Sequence, residues 1–202
     1  MDDFMVVGGG IAGAAAGWFL ARHGRVTLLE AERVPGAHST GRSAAVFSEY
    51  YGGPVVRALT AAGRAFYTEP PEGFSPTALL RPRGVLALET PGSSGLFEQA
   101  LAEGAEAPEP AVEIDRPRAV ELCPVLRPDS FDRALHRPGV CDIDVDAVHQ
   151  GFLRGLRAAG GTVVTGARVR SLRRRRGHWH AATPAGEFRA AAVVDQRVPQ
   201  PP

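Results

Sequence analysis

The sequence contains no lysine and no asparagine, and cysteine, methionine and tryptophan occur only twice each. Cys123 and Cys141 stand alone, with no CxxC pair or Cys/His spacing, which removes a metal or redox pair from consideration. Two free, buried thiols in a reducing compartment are expected. No apolar stretch is long enough to span a membrane. The chain does not open on a basic segment followed by an apolar run, so a cleaved signal is not expected and a cytoplasmic enzyme is. Net charge is only +1, so neither nucleic acid nor an anionic membrane is an expected partner. All 23 basic residues are arginine, beside 24 glycines and 17 prolines. This reads as a compositional bias of the source genome rather than as function.

What is present is concentrated in the first thirty residues. An apolar strand, Phe4-Met5-Val6-Val7, runs into Gly8-Gly9-Gly10-Ile11-Ala12-Gly13. An alanine-rich helix over about 11–22 follows, stopped by Gly24, and a second strand over 25–29 ends on Glu30. This is a dinucleotide-binding fingerprint in its structural setting. Gly8 permits the tight turn, Gly10 leaves the backbone open to a pyrophosphate, and Gly13 allows the helix to lie close on the sheet. The helix N-terminus offers free N–H groups to phosphates. Glu30 lies at roughly the 20-residue offset of a ribose-binding acid, where its charge disfavours a 2′-phosphate.

At 202 residues and 44% apolar content, the chain has room for one sizeable domain or for one domain and part of another. Residues 31–53 lack periodicity, with a helix expected to start near Ser43. A helix is predicted over 55–67, a Pro-rich loop over 70–82, a strand over 84–89, helices over 96–103 and 116–123, and a strand over 134–137. Asp146 is expected to cap an amphipathic helix carrying Val148, Phe152, Leu156 and Ala159, closed by Gly160-Gly161. Strands are predicted over 162–165, 168–173, 179–182 and 188–194. The expected fold is α/β: a Rossmann-like domain with a parallel sheet and a β-meander, and an inserted, incomplete α+β substrate domain. The boundaries are 1–82 and 141–195 for the two segments of the nucleotide domain, 83–140 for the partial substrate or lid region, and 196–202 for an unstructured tail.

The run Ser39-Thr40-Gly41-Arg42-Ser43-Ala44-Ala45 resembles the flavin-contacting loop of the D-amino acid oxidase-like FAD-dependent oxidoreductases. Tyr51-Gly52, the segment 56–60 (Val-Arg-Ala-Leu-Thr) and the segment 142–151 (Asp-Ile-Asp-Val-Asp-Ala-Val-His-Gln-Gly) look like the D-arginine dehydrogenase branch of that family. The resemblance implies FAD as cofactor. Its ADP part would lie on Gly8, Gly10, Ile11, Ala12 and Gly13, with Glu30 on the ribose and Ala31 beside it. Ser39, Thr40, Ser43, Ala44 and Ala45 would approach the pyrophosphate and the flavin ring, where small side chains leave room. Arg42 reads either as a phosphate contact or as a surface arginine. The resemblance also places the backbone of Val169 at the adenine. The implied reaction takes a hydride from the α-carbon of a small amine or D-amino acid to flavin N5, giving an imine that hydrolyses to a keto acid, with an unidentified electron acceptor.

Three departures qualify this reading. Val46 stands where branch members often carry a histidine, leaving Tyr51 as the substrate-facing polar residue, or as an aromatic packed beside the Gly52-Gly53 turn. Arg83 is followed by Gly84-Val85-Leu86, without the glutamate that would pair with a cationic substrate, so a neutral or hydrophobic amine or amino acid is expected. After Val193-Val194 the family continues with a further flavin segment, whereas this chain reads Asp195-Gln196-Arg197-Val198-Pro199-Gln200-Pro201-Pro202. A shifted reading frame and a missing C-terminal half are therefore expected, and with them poor FAD binding and no turnover by this chain alone. The alternative is a non-catalytic nucleotide-binding fragment or one part of a split flavoenzyme. An NAD-linked dehydrogenase leaves the 39–46 loop unexplained.

Other signals have plainer explanations. Asp142, Asp144 and Asp146 alternate, but the positions that an EF-hand loop gives to glycine and glutamate hold Ala147 and Leu153. Arg173 to Arg176 reads as a solvated turn. His178 and His180 flank Trp179 without a third ligand, so no metal is expected.

Overall fold

The computed structural model describes residues 2–90 and 94–196. In chain order the elements are β1 (Asp2–Val7), α1 (Ile11–Leu20), β2 (Val26–Leu29), β3 (Val46–Phe47), α2 (Pro54–Thr68), β4 (Leu80–Pro82), β5 (Val85–Leu88), α3 (Ser94–Ala105), β6 (Val112–Ile114), α4 (Arg116–Leu122), β7 (Ala134–Arg137), β8 (Cys141–Ile143), α5 (Val145–Ala158), β9 (Thr162–Val164), β10 (Ser171–Arg175), β11 (His178–Thr183) and β12 (Gly186–Asp195). A 3-10 turn spans Pro128–Ser130. The chain divides into two compact units, one formed by residues up to 44, 71–77 and from 144 on, the other by 45–70 and 78–143. The fold is mixed α/β.

The first unit is built on a six-stranded sheet in the order β10-β11-β12-β1-β2-β9. β12, β1, β2 and β9 run parallel, with Phe4 opposite both Val26 and Ala192. β10, β11 and β12 form an antiparallel meander. All four residues of β2 are buried, as expected of a parallel strand covered on both faces. Strand alternation sends Met5, Val7 and Leu29 to one face, where they pack with Ala167, Val169, Ala181 and Ala190. Val6 and Leu28 point the other way and are fully buried. On that face Leu28 and Leu156 close around Gly17, joining β2, α5 and α1. Trp18, Phe74 and Phe152 complete it, with ring centroids 5.1–5.7 Å apart.

The second unit holds two three-stranded sheets, β3-β8-β4 and β5-β7-β6. Its cores are Tyr50, Phe97, Ala111, Leu135 and Val140, and Ala119, Phe131 and Ala134. Two buried carboxylates are neutralised within it. Glu49 receives Nε of Arg64 at 2.9 Å, and Arg64 also donates to the Gly139 carbonyl at 2.9 Å. Glu89 receives Nε of Arg133 at 2.6 Å.

Several local expectations are corrected. No helix starts near Ser43: Ala45 has φ +55°, a left-handed conformation that no helix continues through. Its carbonyl instead accepts from the Ile143 N–H at 2.9 Å as β3 pairs with β8. The cap of α5 is Asp144, whose Oδ1 accepts from the Ala147 N–H at 2.9 Å, and Asp146 lies in the first turn. The strand expected at 168–173 begins at Ser171, because the preceding segment crosses the end of β2: the N–H groups of Gly166 and Ala167 donate to the carbonyls of Glu32 and Glu30. The 70–82 loop contains β4. Cys141 is buried, but Cys123 is only partly so; both are free. In the expected tail, Gln196 donates its N–H to the Val7 carbonyl at 2.9 Å, while 197–202 lie outside the described residues. Among the described residues no helix is long and apolar enough to cross a membrane and no group of three or more metal-ligating side chains converges.

Candidate functional site

The parallel strands β1 and β2 end side by side, and the loops leaving them enclose a cavity of about 970 Å³. It lies in the first unit, at the carboxyl ends of the strands, where open α/β sheets bind ligands. Three segments line it: the glycine turn (Val7, Gly8, Gly10, Ile11, Ala12), the end of β2 with the following loop (29–32 and 36–40), and 167–169 with Asp195 and Gln196.

The glycine turn has a backbone that only these residues permit. Gly8 has φ +103°. A Cβ on Gly13 would lie inside the van der Waals envelope of the Gly8 carbonyl oxygen, so α1 can start this close to β1 only on glycine. Gly10 supplies no side-chain cap to α1 and the first turn holds no acidic residue, which leaves the positive end of the helix dipole facing an anion without a competing carboxylate. The Ile11 N–H is met by the Thr40 hydroxyl at 2.9 Å. This bond ties the 36–40 loop to the start of the helix.

Glu30 holds the turn against β2. Although it is 7% exposed, both carboxylate oxygens are used: Oε2 accepts from the Gly9 N–H at 2.6 Å and Oε1 from the Glu32 N–H at 2.8 Å. Each oxygen keeps one further acceptor direction, and the carboxylate lines the cavity. A Cβ on Gly9 would come within 2.8 Å of Oε2, so the absence of a side chain there is what admits Glu30. Gly9 is held on its other side by His149 of α5, whose Nε2 lies 2.8 Å from the Gly9 carbonyl. At the rim, Oε1 of Glu32 accepts from Nη2 of Arg168 at 3.1 Å and from Nε2 of His38 at 3.2 Å.

Of the residues singled out from sequence, the structure brings Gly8, Gly10, Ile11, Ala12, Glu30, Ala31, Ser39, Thr40 and Val169 to this cavity. Gly13 lies behind it, in the packing of α1 on the turn. Arg42, Ser43, Ala44 and Ala45 are not among the lining residues; the first three are exposed. Tyr51 belongs to the second unit and is 78% exposed. Sequence reasoning missed Glu32, the 36–38 segment, Ala167, Arg168, Asp195 and Gln196 as lining residues, and His149 as a support. Only the last had a signal: a histidine among the apolar positions of an amphipathic helix.

The family model described as "FAD dependent oxidoreductase" (DAO) matches residues 3–195. Among solved structures, glycine oxidase from Geobacillus kaustophilus superposes with a TM-score of 0.84 at 22% identity, covering 96% of this chain and 55% of that one. L-alpha-glycerophosphate oxidase from Mycoplasma pneumoniae, solved with FAD bound, gives 0.80 at 15% identity, covering 95% and 53%. Iminodiacetate oxidase from Chelativorans sp. BNC1 gives 0.76 at 25% identity, covering 95% and 54%. The chain thus spans about half the length of the solved structures it matches.

Proposed function

The chain belongs to the DAO family of FAD-dependent oxidoreductases, and from that premise we propose that its cavity holds the ADP part of FAD for the oxidation of an amine or amino acid. The observation that carries the proposal is the pairing of a glycine-started, acid-free helix N-terminus with a buried carboxylate on one cavity. A dinucleotide needs both, donors for its diphosphate and acceptors for its ribose hydroxyls.

The residues present fit that group. Gly10, Ile11 and Ala12 present helix-terminal backbone to the cavity, and Gly13 removes the Cβ that would push α1 away. The two remaining acceptor directions of Glu30 suit a ribose diol, and its charge rejects a 2′-phosphate. Leu29, Ala167 and Val169 pack in one cluster and give the cavity an apolar lining, which suits an adenine face. When bound, FAD supplies a two-electron acceptor for a hydride from the substrate α-carbon, leaving an imine that water converts to a carbonyl compound. The protein's task here is to bind, orient and exclude water.

Within the family we place the chain nearest the D-arginine dehydrogenase branch, on the segments 39–45, 56–60 and 142–151. A neutral or hydrophobic amine or D-amino acid is the substrate class, because Gly84-Val85-Leu86 follow Arg83 where the branch carries a glutamate. Tyr51 is the substrate-facing residue of this proposal, and a cytoplasmic location goes with it. Its exposure leaves the phenol free to meet a ligand. Since the chain spans about half of its structural relatives, a second reading stands beside the first: a nucleotide-binding part that turns over only with a complementary half of the fold. One experiment separates them. The chain is incubated with FAD, passed through gel filtration, and the retained flavin absorbance and the reduction of a redox dye by a panel of D-amino acids and amines are recorded. Flavin with dye reduction supports the oxidoreductase working alone. Flavin without reduction supports the second reading, and no retained flavin refutes the cofactor assignment.

A further inference from the structure

The fingerprint glycines account for how the turn avoids its neighbours, but not for what sets the direction of its peptide groups. Gly9 has no side chain of its own to fix its peptides, and it is gripped on both sides. The peptide before it donates to Glu30 at 2.6 Å, and the peptide after it meets His149 at 2.8 Å. A backbone carbonyl only accepts, so the ring nitrogen facing it, Nε2, carries the hydrogen. His149 is 2% exposed, and the other side of its ring rests on Gly36, where a Cβ would come within 2.9 Å of Cε1 and 3.1 Å of Nδ1. Gly36 has φ +79° and lines the cavity, as does Gly10. One imidazole on α5 therefore touches both loops that bound the cavity, the turn before α1 and the segment after β2.

We infer that His149 is a positioning residue for the dinucleotide loop: its Nε2–H pins the Gly9 carbonyl and thereby aims the Gly10 N–H into the cavity. The peptide joining Gly9 to Gly10 is trans, and in a trans peptide the C=O and N–H point in opposite directions. Holding the carbonyl toward α5 leaves the Gly10 N–H facing away from α5. Without the donor, that peptide is free to rotate, as glycines on both sides allow, and an ADP diphosphate loses an oriented N–H. The inference rests on the proposal that this cavity binds FAD, and it assigns to α5 a part in that binding which the glycine motif alone does not contain.

The test compares the wild-type chain with His149→Leu, which fills similar space without a donor, and His149→Gln, whose side-chain amide can donate from nearly the same place. All are measured at a temperature where circular dichroism shows each variant folded. Nitrogen-15 correlation spectra of wild type should show a hydrogen on Nε2 of His149. The leucine variant should move the Gly10 amide resonance and weaken FAD binding about tenfold, the effect of losing one oriented hydrogen bond, and the glutamine variant should restore most of both. A merely structural histidine would lower stability without this rescue of affinity. A bare Nε2 overturns the inference, as does equal FAD affinity of wild type and the leucine variant. If wild type retains no FAD, the cofactor proposal fails, and the Nε2 hydrogen and the Gly10 shift still decide the role of His149.

Discussion

Replacing Glu30 by glutamine removes one acceptor from the joint between β1 and β2 while keeping the size of the side chain. In the native protein the two carboxylate oxygens receive the N–H groups of Gly9 and Glu32 at 2.6 and 2.8 Å. An amide has one oxygen, so one of these buried N–H groups must face an NH₂ donor whichever way the side chain turns. A hydrogen bond to a charged group is worth ~1.5–3 kcal/mol, so a loss of about 2 kcal/mol is expected. For a domain of this size each kcal/mol moves Tm by ~2–4 °C, which gives a fall of about 4–8 °C. Both tryptophans, Trp18 and Trp179, lie in the first unit, so intrinsic fluorescence during thermal or urea unfolding reports the affected part directly. The same substitution takes an acceptor and the charge from the proposed ribose contact. FAD affinity should fall about thirtyfold, the equivalent of another ~2 kcal/mol. Glu30→Asp, one methylene shorter, should lose stability too, since it cannot reach both N–H groups. An unchanged unfolding midpoint in Glu30→Gln would refute the reasoning about the joint, and a lowered midpoint with unchanged FAD affinity would refute only the ribose role.

Two predictions concern the second unit. Arg64→Met should destabilise by about 3–5 kcal/mol, because Glu49, 3% exposed, would keep a buried carboxylate with no counter-charge; Glu49→Gln made in the same chain should recover a good part of that loss in urea titration, and no recovery would argue against the ion pair as the cause. Tyr50 gives the unit an alkaline limit. Burial, foremost, pushes its phenol above the usual 10.0, so the unfolded chain releases this proton first. The stabilisation it contributes is complete below about pH 10 and is lost as pH rises through the folded value. Unfolding titrations should show stability dropping in that range, and Tyr50→Phe should flatten part of the drop while lowering stability at neutral pH, where the Tyr50 hydroxyl bonds the Glu109 carbonyl and the Gly139 N–H; an identical alkaline profile in the variant would count against this.

Much of the nucleotide unit was legible in the sequence because its logic is local. A β-α-β segment with glycine at Gly8 and Gly13 is one continuous piece of chain, read from the apolar run of 4–7, the alanine-rich stretch that follows and the glycines that bound them. The same holds for α5, read from its amphipathic spacing. The strands β3, β4, β6 and β8 were missed for the opposite reason. Each is two or three residues long and exists only because a distant segment lies alongside, as Val46 does beside Asp142. The loop 39–45 was read for composition, but where its side chains point depends on the turn geometry around Ala45, which no residue pattern there announces.

By itself, then, the sequence determined that a tight glycine turn would join β1 to α1 and which acid would stand at the end of β2, since sterics at glycine and the length of one strand-helix-strand passage settle both. Tertiary structure alone decided how that turn is held. Gly9 and His149 are 140 residues apart, as are Glu32 and Arg168 by 136, and hydrogen bonds across such separations follow from the packing of α5 and the 167–169 segment on the sheet rather than from any local preference of the residues that make them.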